Sequence, residues 1–222
     1  MTIAASSKLV LLGPPGAGKG TQAELLSARL RTPHISTGDM LRLEISQGTP
    51  LGVRARGFMD KGELVPDDLM LGIVRQRLAA TDCHGGFILD GFPRSVPQAV
   101  SLDDICANAS RAKLRALSLD VPTDELVRRL TERRTCRKCG AMYHLSFEPS
   151  KRPGICDKCG GELYQRDDDR EEIITARLEV YRKETAPLLA FYRERSALVE
   201  VQGTGSTEQV FRRVVASLGV PA

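Results

Sequence analysis

The 222 residues carry 27% charged, 41% hydrophobic and 5% aromatic side chains, ordinary proportions for a globular chain that exclude disordered and fibrous classes. A net charge of +4 is too small to mark a nucleic-acid binder, although Arg128, Arg129, Arg133, Arg134, Arg137 and Lys138 crowd one stretch. No window approaches the roughly 18 uncharged apolar residues a membrane helix needs. Residues 1–7 lack the charged start and apolar run of a signal peptide, so a cytoplasmic location is the expectation.

In chain order, Lys8 to Leu12 is a continuous apolar run, the pattern of a strand buried on both faces. A Gly/Pro-rich turn follows, and Ala23, Leu26 and Leu30 then recur at helical spacing, predicting a helix over 18–31. Pro33-His34-Ile35, Phe87-Ile88-Leu89 and residues 114–119 and 197–201 read as four further strands. Proline opens a helix over 122–134, with Leu126 and Leu130 four apart. Ile174, Leu178, Tyr181, Thr185, Leu188 and Tyr192 form a late helical stripe that Pro187 should break about one turn before itself. Alternating strands and helices predict a doubly wound α/β domain with a five-stranded parallel sheet. Residues 135–169, rich in Cys, Gly, Pro and Arg, interrupt the alternation and read as an inserted lid.

After the first strand stands Gly13-Pro14-Pro15-Gly16-Ala17-Gly18-Lys19-Gly20-Thr21. Such a loop turns successive backbone N–H groups toward an anion, and the helix that begins there adds its positive end. Lys19 can reach the β- and γ-phosphates of a nucleotide, and Thr21 can offer its hydroxyl to magnesium. The strict pattern wants Ser or Thr directly after the lysine, whereas Gly20 intervenes here. Asp90, closing a strand, is placed to hold the magnesium through waters.

Four of the six cysteines form Cys136-Arg137-Lys138-Cys139 and Cys156-Asp157-Lys158-Cys159, sixteen residues apart. Two such knuckles can bring four thiolates onto one tetrahedral zinc, and four ligands leave no open position, so the metal is structural. Iron and cobalt also fit four thiolates. A zinc ribbon that docks on nucleic acid or a partner is the competing reading of this module. Cys83 and Cys106 read as semi-buried free thiols.

The run GPPGAGKGTQ resembles the opening motif of adenylate kinases, displaced threonine included. Ile35-Ser36-Thr37-Gly38-Asp39-Met40-Leu41-Arg42 and Asp90-Gly91-Phe92-Pro93-Arg94 with Gln98 resemble further motifs of that family, in the same order. The resemblance implies a P-loop core (1–35, 66–131, 170–222), an NMP-binding segment (36–65) and a zinc-ribbon-like lid (132–169). It implies the magnesium-dependent reaction ATP + AMP = 2 ADP, which maintains adenine nucleotide balance, in a monomer. ATP would meet Gly16, Ala17, Gly18, Lys19, Gly20, Thr21, Arg129, Arg133, Met142, Tyr143 and Gly205. AMP would meet Thr37, Arg42, the backbone at Glu63, Leu64 and Val65, then Gly91, Phe92, Pro93, Arg94 and Gln98, whose carboxamide reads the adenine edge.

Arg42 and Arg94 would fork onto the AMP phosphate. Lys19, Arg94, Arg133, Arg166 and Arg177 would stabilise the transferring phosphoryl group, the last two also touching AMP, with Asp168 and Asp169 holding the arginines. Thr37 favours AMP, because related uridylate and cytidylate kinases tend to place a small apolar residue there. Those kinases are the nearest rival, and a nucleotide-switched binding protein is the more distant one.

Overall fold

A computed structural model describes residues 7–107 and 113–220, so most of the N-terminal stretch read above lies outside the described residues. Its centre is a strand, β1 (Lys8–Leu12), with every residue buried. Even Lys8 is enclosed, its Nζ donating to the Cys106 carbonyl at 2.9 Å. Helix α1 (Lys19–Leu30), strand β2 (His34–Ser36), helices α2 (Thr37–Gln47), α3 (Pro50–Met59) and α4 (Asp67–Leu78), and strand β3 (Phe87–Asp90) follow. Helix α5 (Val96–Ala107), strand β4 (Leu114–Asp120) and helix α6 (Thr123–Thr131) lead to the lid.

The lid holds β5 (Arg133–Cys136), β6 (Met142–His144) and β7 (Leu163–Tyr164), after which come α7 (Glu171–Val180), α8 (Pro187–Glu194), β8 (Leu198–Gln202) and α9 (Thr207–Leu218). Among the described residues no helix is long and apolar enough to cross a membrane.

The main sheet is parallel, in the order β2-β3-β1-β4-β8. Alternate residues of β1 serve opposite cores: Val10 and Leu12 join one buried cluster, Leu9 and Leu11 the other. A strand buried on both faces cannot show polar alternation, which is why the sequence reads as an unbroken apolar run. All five strands fall at or within a residue or two of the expected runs.

Two departures have local causes. Helix α6 stops at Thr131 rather than running to 134, because Arg133 leaves the helix to pair with His144 in an antiparallel sheet of order β6-β5-β7. The late helical stripe is broken at the expected place, where Tyr181–Thr185 widens into a π-turn and the Ala186 N–H reaches the Tyr181 carbonyl at 2.8 Å. The proline has no N–H to continue the α-helical ladder, and the wider turn absorbs the loss before α8 restarts on Pro187 at its N-terminus.

Elsewhere capping is conventional. Ser36 caps α2 by accepting from the Asp39 N–H, and Ser206 and Gln209 form a reciprocal box at the start of α9. The lid's own buried cluster is small: Cys136, Ala141 and Cys156, with Tyr143, Cys159 and Leu163 against them.

Candidate active site

The loop between β1 and α1 lies where the parallel strands end, the usual location for ligands in an open α/β sheet. Gly18 caps α1 in the left-handed conformation (φ 89°), and neither a capping side chain nor an acidic residue occupies the first turn. The helix therefore presents unsatisfied N–H groups and its positive end to a cleft of about 890 Å³. Lys19 Nζ is held inside this loop by the Gly13 and Pro14 carbonyls at 2.8 and 2.9 Å. Its pKa falls to about 8, first through burial and then through the cations Arg94, Arg177 and Arg133, with Asp90 opposing.

Asp90 ends β3 beside β1, opposite Leu11 in register, and lines the same cleft as Thr21. Burial pushes its carboxyl upward. The His34 imidazole, 3.7 Å away, and Lys19 outweigh that and hold it below the ordinary carboxylate range, so it is an anion in the cleft.

Across from the loop a set of arginines converges. Arg94 Nε donates to the Gly91 carbonyl at 2.8 Å, while Arg42 pairs with Asp39 at 2.5 Å. Arg133 makes a fork on Asp169, a residue with no exposed surface, through Nε at 2.7 Å and Nη2 at 2.5 Å. Arg177 donates from Nη1 to the same carboxylate at 3.1 Å and lies 3.1 Å from Asp168. Arg166 donates to Thr135 Oγ1 at 2.9 Å and approaches Asp39 at 4.0 Å, linking the lid to α2.

The cluster is electrostatically crowded. Burial, then the neighbouring Arg177, lowers Arg94 to about 10. Burial, then Arg133 and Arg42, lowers Arg166 to about 9. Arg133 alone is raised, since Asp169 overcomes its burial. For Arg94 and Arg166 the nearby carboxylates do not offset burial and the neighbouring cations, so an anionic group entering the cleft would be favoured there.

The lid reaches over the phosphate loop. A Cβ built on Gly20 would stand 3.0 Å from Met142 Cε and 3.4 Å from an Asp90 carboxylate oxygen, so a side chain there would crowd both. Arg129 donates to the Gly203 carbonyl at 3.0 Å and so meets the loop that carries Gly205.

A family model described as "Adenylate kinase" matches residues 11–197. A chain named "Adenylate kinase" from Thermodesulfovibrio yellowstonii is 54% identical over 211 residues, covering 95% of this chain and 98% of the relative. Chains of the same name from Geobacillus sp. and Archaeoglobus fulgidus are 53% and 51% identical, each over 95% of this chain and 98% and 97% of their own. The chain belongs to the adenylate kinase family.

The cleft gathers almost every residue that the adenylate kinase motifs singled out. Gly16, Ala17, Gly18, Lys19, Gly20, Thr21, Thr37, Arg42, Glu63, Leu64, Val65, Asp90, Gly91, Pro93, Arg94, Gln98, Arg129, Arg133, Met142, Tyr143, Arg166, Arg177 and Gly205 all line it. Phe92 does not: its side chain has no exposed surface and belongs to the core. It follows strand β3 into a fully packed site, so no side-chain contact with a ligand can be expected of it.

Gln98 is less free than the motif suggests. Its Oε1 accepts the Arg94 N–H at 2.7 Å, and its Nε2 donates to Asp67 at 2.6 Å. One amide hydrogen and one lone pair remain for a base edge.

Sequence reasoning missed His34 beside Asp90, Asp39 beside Arg42, and His144. His144 sits on β6 opposite Arg133, and its Nδ1 accepts the Ser146 and Phe147 N–H groups at 3.2 and 3.1 Å. A neutral ring therefore carries its proton on Nε2, which is buried, lacks a hydrogen-bond partner, and belongs to a residue lining the cleft. No local motif flags it, since its role depends on the β5–β6 pairing.

The four lid cysteines come together, their Sγ atoms all within 4.8 Å of one another. Cys136 and Cys159 lie 3.4 Å apart, Cys139 and Cys156 3.6 Å. Four thiolates around one tetrahedral ion with ~2.3 Å bonds have edges of roughly 3.8 Å, so the donor set could hold a metal ion of that kind.

Proposed function

We propose that this chain catalyses reversible phosphoryl transfer between ATP and AMP, giving two ADP, with the roles distributed over the cleft as the family motifs indicate. The observation that carries the reading is one continuous cleft in which a phosphate loop faces Arg42, Arg94, Arg133, Arg166 and Arg177. Two phosphate-bearing ligands account for so many converging cations better than one does.

In this reading an AMP phosphate oxygen, already a nucleophile, attacks the γ-phosphorus of ATP, and the bond to the β,γ-bridging oxygen breaks. No general base is required. Arg42 and Arg94 hold the AMP phosphate. Lys19, Arg133, Arg166 and Arg177 neutralise the charge that spreads over the phosphoryl oxygens, while Asp168 and Asp169 fix two of those arginines. Arg129, Met142, Tyr143 and Gly205 enclose the ATP end. Thr37 and Gln98 select adenine on the AMP side.

Magnesium would be held through waters by Asp90 and by Thr21, and when bound it would screen the β- and γ-phosphates. A structural zinc would be held by Cys136, Cys139, Cys156 and Cys159 and would stabilise a lid with too little core of its own. Segments 36–65 and 132–169 are the moving parts, and closure keeps water from accepting the phosphoryl group. The enzyme acts as a cytoplasmic monomer.

ADP as the sole nucleotide, with magnesium, tests the reading. Equal amounts of ATP and AMP should form until equilibrium is reached. Inert ADP, with ATP still bound tightly, would instead favour a nucleotide-switched binding protein.

A further inference from the structure

Tyr143 stands at two sites at once. Its side chain lines the cleft, while its hydroxyl lies 3.5 Å from Cys156 Sγ and accepts the Asp157 N–H at 2.8 Å. The polarity of this arrangement is fixed by chemistry. A metal-bound thiolate has no proton and can only accept, and the backbone N–H can only donate. The phenol must therefore give its single proton to the sulfur and receive the backbone hydrogen on oxygen.

We propose that Tyr143 is a positioning residue that couples metal occupancy of the cysteine knuckles to the ATP end of the cleft. The hydrogen bond to Cys156 both steadies the sulfur and fixes the ring. The inference rests on reading this cleft as the nucleotide site. Hydrogen bonds to metal ligands from outside the coordination shell typically alter metal affinity 10- to 100-fold. Here the donor itself borders the substrate, so a change at the metal is felt as a shift of the ring that encloses ATP.

The test is a thermodynamic cycle on the full chain, comparing wild type with Y143F, each zinc-loaded and zinc-stripped. Zinc affinity is measured by competition with a chromophoric chelator, and ATP and AMP affinities by calorimetry. Y143F keeps the ring and should weaken zinc binding roughly 10- to 100-fold. In the loaded proteins it should raise the ATP Kd roughly 2- to 10-fold, the range of one net hydrogen bond. It should leave the stripped proteins alike and AMP affinity unchanged throughout.

An unchanged zinc affinity would overturn the proposal. So would an ATP penalty equal in both metal states, which would mark the hydroxyl as a simple ligand contact. If loaded wild type binds neither nucleotide, the cleft assignment fails instead, and that result is separable because zinc affinity is read without nucleotide.

Discussion

Asp169 is the anion on which the arginine cluster rests, and replacing it with asparagine should damage both fold and catalysis. The carboxylate has no exposed surface and accepts from Arg133 at 2.7 and 2.5 Å and from Arg177 at 3.1 Å. Asparagine keeps the shape but turns an N–H₂ group toward guanidinium donors and removes the one carboxylate that is fully buried among the described residues. Removing one partner of a buried ion pair costs about 3–5 kcal/mol. For a chain of this length each kcal/mol lowers Tm by about 2–4 °C, so a fall of roughly 6–20 °C is expected.

The exposed pair Arg193–Glu200, at 2.9 Å, supplies the control. E200Q should cost under about 1 kcal/mol. Thermal unfolding followed by circular dichroism on the nucleotide-free proteins measures both, and kcat should drop for D169N alone as Arg133 and Arg177 lose their orientation. A D169N Tm within about 2 °C of wild type would refute the reasoning, since it would mean that the arginines do not depend on this carboxylate.

Lys19 gives a pH prediction. Its pKa is lowered to about 8 in the fold, so the unfolded chain binds more protons above that point, and stability should rise as pH increases from 8 toward the ordinary lysine value of 10.5. Nucleotide anions restore the charge, so the ATP Kd should be flat below pH 8 and weaken up to about tenfold per unit above it, by calorimetry. K19M should abolish that slope, and a flat wild-type profile to pH 9.5 would count against the assignment. H144A removes the unpartnered Nε2–H and should raise KM for ATP roughly 2- to 10-fold with KM for AMP unchanged, as steady-state kinetics would reveal. If lid opening limits turnover, rapid-quench experiments should find a burst of ADP in the first turnover; a single-turnover rate no faster than kcat would rule this out.

Much of this site is legible in the sequence because its parts are local. The phosphate loop needs only residues 13–21, and each pair of cysteines is contained within four residues, so spacing alone conveys their geometry. What the sequence hides is pairing across distance. Asp67 lies 31 residues from Gln98, and His34 on β2 faces Asp90 on the neighbouring β3. In each case neither residue alone signals the other.

Phe92 is the converse case: it stands among site residues in a motif, yet its side chain packs into the core. The end of α6 is hidden in the sequence because Arg133 has good helical propensity and is drawn into the lid sheet only by its tertiary pairing with β6.

The central claim is tested most directly by ADP formation from ATP and magnesium with AMP, CMP, UMP or GMP each offered alone. Rapid turnover with AMP and little with the others is the expected result, and it would support the selectivity assigned to Thr37 and Gln98. Preference for UMP or CMP would contradict that selectivity, and silence with all four would contradict the phosphoryl-transfer account itself.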